Sequence, residues 1–238
     1  MRAERAGIVG LLALLAGCHD PHPATDTADR WPFRSVQRLA VAPAMNFSGQ
    51  ESLDPLRVAD LLASELTQSG GVTIVPVNRV AAALIARGGL HVRSPAQAYE
   101  VCRAVGADAM LISAVTEYQP YPPMIVGATL ELFVLPEASA RERSADGTAR
   151  HASTGGDVAL DGPAAQVQLT WDASHTETVR RVRAFGERRD SEAGPMGWRR
   201  YLVTQEGFLR FCAFEGIDAL ISGESDRMAT ARISDARE

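Results

Sequence analysis

Between Leu39 and Val134 short apolar runs alternate with stretches of helical spacing, and the helical stretches carry their own start and stop residues. Such alternation points to an α/β chain in which helices pack on a sheet. Leu39 to Ala44 fits a buried strand, ended by the loop residues Asn46, Ser48 and Gly49. Asp54-Pro55 supplies an N-cap with proline at the first helical position, and Leu56, Ala59, Leu62, Ala63 and Leu66 recur at helical spacing up to Gly70-Gly71. Val72 to Val77 is β-branched and apolar, as a second strand would be. Asn78 can cap a short helix carrying Val80, Ala81, Leu84 and Ile85, closed by Gly88-Gly89.

Ser94-Pro95-Ala96-Gln97 has capping-box spacing, and Ala98, Val101, Cys102 and Val105 form the inner face of the helix that Gly106 ends. Met110 to Val115 reads as a third strand. The prolines within Gln119 to Pro123 force an extended or turning connection. Val126, Ala128, Leu130, Leu132 and Val134 alternate as a fourth strand, and Val167, Leu169 and Trp171 as a fifth, hairpinned to it across a long loop at about 136–165. Two C-terminal helices follow, from about Ser174 to Arg188 and from about Thr204 to Ile221, and 223–238 reads as a polar tail. The expected fold is therefore a single α/β domain over 33–222, with a mixed sheet of about five strands, helices packed on it and two helices at the end.

Ahead of the domain, Arg2 and Arg5 precede an apolar run from Ile8 to Ala16 that is too short for a permanent membrane span and suited to a signal-peptide core. It ends in Leu15-Ala16-Gly17-Cys18, which resembles the bacterial lipobox. The resemblance implies a leader over 1–17 and lipid on Cys18. Residues 18–32 are rich in Asp, Thr, Pro and His and read as a flexible tether. His19 after the cysteine favours the outer membrane under the enteric sorting pattern, with the domain in the periplasm.

The strings RLAVAPAMNFSG, RVADLLASELTQ, VTIVPVNRV and GADAMLISAVTEY lie between Leu39 and Val115 or just beside them. They resemble envelope lipoproteins of the penicillin-binding-protein activator, curli-secretion lipoprotein and Tol translocation protein N-terminal domain type. The resemblance implies a periplasmic α/β domain that binds other proteins, and it brings no catalytic residue with it. The long loop and the C-terminal helices depart from the activators, and no segment suits the membrane strands of a curli pore.

The charge of −5 gives no broad attraction to a phosphate backbone, so no nucleic-acid partner is expected. All 24 basic residues are arginine, which excludes Walker, Schiff-base and Ser-x-x-Lys chemistry. The five histidines are scattered without ligand spacing, so neither a metal nor a cofactor is expected. Asp172, Ser174 and His175 are near in sequence, where Asp172 or Ser174 serves as a helix cap more naturally than as part of a triad. Cys102 and Cys212 can pair in an oxidising compartment or can lie apart as two buried small apolar groups. Arg180, Arg181, Arg183, Arg188 and Arg189 concentrate positive charge, either as a solvated face paired with Glu177 and Glu187 or as a docking surface for an acidic partner. These readings favour a lipid-anchored, non-catalytic adaptor or assembly component with an envelope protein partner. A hydrolase with a dispersed site and a self-assembling, ring-forming secretion component stay open as alternatives.

Overall fold

The computed structural model describes residues 31–145, 162–189 and 195–235. Its sheet is built from β1 (Arg38–Val41), β2 (Met45–Asn46), β3 (Thr73–Val75), β4 (Ala109–Gln119), β5 (Ile125–Val134) and β6 (Ala165–Asp172). The order is β3-β1-β4-β5-β6, with β2 alongside β4. β1 is parallel to β3 and β4, and β2 is parallel to β4; β4, β5 and β6 form an antiparallel meander. The mixed character follows from the connections: helices lie between the parallel strands, residues 120–124 turn β4 into β5, and 135–164, which include a helix, lead from β5 to β6.

The helices are α1 (Pro55–Ser69), α2 (Val77–Ile85), α3 (Pro95–Val105), α4 (Pro136–Ala145), α5 (Thr176–Arg189), α6 (Arg200–Val203) and α7 (Gln205–Asp235), with a 3₁₀ turn at Gly197–Arg199. Asp54 caps α1 by accepting from Leu56 N at 2.9 Å and Arg57 N at 3.3 Å. Ser94 caps α3 through Gln97 N at 3.2 Å, and Gly106 ends it in the left-handed region at φ 71°. Successive strand residues divide between two cores. Leu39, Val41, Leu111, Val115, Leu130 and Trp171 pack with α1, α5, α6 and α7. Ala40, Met110, Ile112 and Phe133 pack on the other face with residues of α2, α3 and α4.

Several expectations need correction. Pro76, not Asn78, stands at the N-cap of α2, because the carbonyl of Pro76 accepts from Arg79 N and Val80 N at 2.9 and 3.3 Å. The first ten residues of the expected 136–165 loop are α4, a helix of strong formers that buries Ala138 and therefore shows no apolar period; 146–161 lie outside the described residues. Trp31, placed at the end of the tether, is core: its Nε1 donates to Val36 O at 3.2 Å and its ring meets Phe33 at 5.2 Å. The polar tail is helical as far as Asp235, since α7 runs on for 31 residues, roughly 46 Å at the rise of an α-helix.

α7 lies between two layers. On one side Gly216 is so close to the sheet that a Cβ there would come within 2.7 Å of Leu130 Cδ1. On the other, Phe211 and Phe214 meet Phe185 of α5 at 5.8 and 5.0 Å between ring centres. A helix covered on two sides needs no single apolar stripe, and apolar and polar residues are spread around it.

Candidate docking site

Cys18 lies outside the described residues. Cys102 sits in the core under α3 and Cys212 in the core under α7, so the sheet separates them, and both are free thiols. Burial pushes the Cys102 thiol up to about 12 and holds the Cys212 thiol well above its ordinary range, which keeps both in the unreactive protonated form. Asp172 and Ser174 form a turn at the start of α5, where Ser174 N donates to Asp172 Oδ1 at 2.7 Å and exposed His175 lies 3.6 Å away. Among the described residues no three His, Cys, Asp or Glu side chains gather to hold a metal, and no helix is long and apolar enough to cross a membrane.

The five arginines of α5 separate by helical phase. Arg180 is exposed and pairs with Glu177 at 2.7 Å, and Arg183 pairs with Glu187 at 2.7 Å. Arg181 points to α7 and meets Glu215 at 2.5 Å. Arg188 crosses Phe214, its guanidinium 5.4 Å from the ring centre. Arg189 reaches farthest: its guanidinium stacks over Phe185 at 4.7 Å and binds both carboxylate oxygens of Glu65 on α1. Most of the positive charge on α5 is thus answered by the protein's own carboxylates and rings, and Arg189 is tied into a second site.

That site is a cleft of about 590 Å³ lined by Gln68, Arg189, Arg200, Tyr201, Thr204, Glu206, Gly207 and Arg210. The first turn of α7 forms one wall. Thr204 holds that turn by donating to Arg200 O at 2.8 Å and accepting from Gly207 N at 3.2 Å. Gly207 lets α6 approach, since a Cβ there would lie 3.0 Å from Tyr201 Cα. Below the cleft, Glu65 is 1% exposed and is held by Arg189 and Arg210, the second at 3.3 Å. Arg57 binds Glu206, which drives the Glu206 carboxyl below its ordinary range. Arg200 donates to the Tyr201 hydroxyl at 2.9 Å. Among the described residues Arg57, Arg189, Arg200 and Arg210 outnumber Glu65 and Glu206 by two charges, in a chain whose total is −5.

Sequence reasoning found Arg189 but not its partners. Glu65 does carry a sign, since it falls on the apolar stripe of α1 with Val58, Leu61, Leu62 and Leu66. Arg210 likewise interrupts the run from Phe208 to Phe214. A charge in an apolar stripe requires a partner, but only the fold shows which.

No protein-family model matches the chain, and no curated protein matches it. Among solved structures it is similar to E. coli LpoB, at 16% identity and TM-score 0.37, over 45% of this chain and 62% of that one. Lipoprotein GNA1162 from Neisseria meningitidis gives 15% identity and TM-score 0.41 over 67% of this chain and 99% of the other. The PelC dodecamer from Paraburkholderia phytofirmans gives 22% and 0.29 over 42% and 61%. Likenesses at these scores concern part of the fold and transfer no function.

Proposed function

We propose that the chain is a lipid-anchored protein of the bacterial envelope whose domain is a non-catalytic adaptor, docking an acidic segment of a partner protein in the arginine-lined cleft. Residues 1–17 serve as leader, Cys18 carries the lipid, the following residues tether the domain, and the domain faces the periplasm from the outer membrane. The cleft carries the adaptor reading. It is concave, lined by three arginines and one carboxylate among the described residues of an acidic chain, and walled by the first turn of a long helix, whose dipole adds to the attraction for carboxylates. Planar guanidinium groups bind carboxylates in pairs, which suits Asp and Glu side chains of a peptide.

The anchor is tested by Cys18→Ala, which should abolish fatty-acid labelling and membrane retention; unchanged retention would remove that half of the proposal. The cleft is tested separately by placing a photo-crosslinking residue at Gln68, on its rim, and at exposed Arg79 on α2 as control. In intact envelopes Gln68 should give one reproducible protein adduct that is lost with Arg200→Glu, and Arg79 should give none. No adduct from Gln68, or an adduct indifferent to Arg200→Glu, would overturn the cleft assignment.

A further inference from the structure

The two edges of the sheet differ in length and guarding. β3 is three residues long, whereas β6 spans eight, Ala165 to Asp172. Proteins usually blunt an edge with proline, charge, a bulge or brevity, because an open edge is a template for another strand. β6 has none of these from Ala165 to Trp171: the sequence is AQVQLTW, and its register with β5 is unbroken. Among the described residues no strand lies beyond it.

The hydrogen-bond phase shows which residues face outward. Leu135 N donates to Asp108 O and Ala173 N to Met124 O, both continuing their ladders. Odd residues of β5 therefore bond to β4 in this stretch, and even ones bond to the odd residues of β6. Gln166, Gln168 and Thr170 are left with their N–H and C=O groups directed at the free edge. Their side chains are exposed on the face away from α7, while Val167 and Leu169 are half-buried on the α7 face.

We infer that the outer edge of β6 is a self-association surface, and that a second copy adds its own β6 antiparallel, about a two-fold axis at Gln168. In that register Gln168 stands opposite Gln168 of the second copy, and Gln166 opposite its Thr170. On the α7 face Val167 meets Leu169 of the other copy, closing apolar surface that each copy leaves half-open. A second copy is the occupant because the stretch Gln166 to Thr170 is uncharged and self-complementary, with Asp172 beyond it held by Ser174 N and Arg227 on the carbonyl of Ala164 at the other end. Two chains of charge −5 repel least where no carboxylates face one another, and in this register Gln166, Gln168 and Thr170 meet only each other while Asp172 faces Ala164 of the second copy.

Sedimentation velocity on the full chain in detergent tests this, with Gln168→Lys/Thr170→Lys as the disrupting variant. The wild type should be a dimer at micromolar concentration, and the variant should associate about tenfold more weakly or less, with an unchanged circular dichroism spectrum. Gln168→Cys in a Cys18→Ala background should form a disulfide-linked dimer on oxidation, and Arg79→Cys should not. A monomeric wild type, or a dimer indifferent to the lysines, would overturn the inference. So would slow amide exchange at Gln166, Gln168 and Thr170 in the monomer, which would mean that the chain's own residues cover the edge.

Discussion

The carboxylate of Glu65 is the buried charge on which the helical layer turns, and its neighbours set how much each deletion costs. Glu65 is 1% exposed, and Arg189 and Arg210 retain 21% and 26% exposure. Replacing Glu65 by Leu leaves two guanidinium groups that can turn to water, so the loss should be about 1–2 kcal/mol. Arg210→Met leaves the carboxylate one bidentate partner and should cost a similar amount. The double variant Arg189→Met/Arg210→Met strands a carboxylate with no route to solvent, and the penalty should be about 3–5 kcal/mol, more than the two single losses added. Against a domain stability of about 5–15 kcal/mol that is a large share. The triple variant that adds Glu65→Leu should recover most of it, because an apolar set of similar volume has no charge to desolvate. Urea unfolding followed by circular dichroism measures all four together with the single Arg189→Met variant. Additive arginine losses, or a triple variant worse than the double, would refute the reasoning.

Other outcomes follow from the same packing. A Cβ on Gly186 would lie 2.6 Å from Trp198 Cβ and 2.9 Å from its Cα, whereas one on Gly216 meets the movable end of Leu130. Gly186→Ala should therefore cost more than Gly216→Ala, about 3 against about 1 kcal/mol in thermal unfolding, and the reverse order would contradict the close crossing of α5. In a Cys18→Ala chain neither remaining thiol should react with Ellman's reagent in the native state, and two should react in urea; a linked pair would give none in either. Burial raises the Glu215 carboxyl above its ordinary range even beside Arg181, so the fold keeps a proton on it to a higher pH than the unfolded chain does. The stability this confers is full below pH 4.5 and is lost as pH rises through the folded value. Glu215→Gln should thus gain on the wild type as pH rises from 4.5, and a difference that shrinks or stays flat would argue against it.

The framework of the domain was legible because its signals are local. Asp54 and Ser94 mark helix starts by accepting from amides within three residues, and the alternation of Val126 to Val134 needs only the pleat of one strand. The errors occur where the deciding partner is distant or the pattern is absent. Of the described side chains of α4 only Ala138 is buried, and α7, packed on both sides, shows no single stripe. Trp31 follows a polar stretch, yet it is held by Val36 and Phe33. The cleft joins α1 to α7 through Glu65 and Arg210, 145 residues apart, a pairing that no local pattern encodes.

The sandwiched position of α7 has a consequence for timing. Every strand and helix it packs against precedes it in the chain. As the polypeptide emerges from N to C, Leu130, Trp171 and Leu62 have no lid until residues 208–221 follow, so one side of the sheet is apolar and open during synthesis. Contacts of such sequence separation form late. The domain is in effect unfinished until its long last helix is delivered, which makes shortened chains prone to aggregation at that bare face.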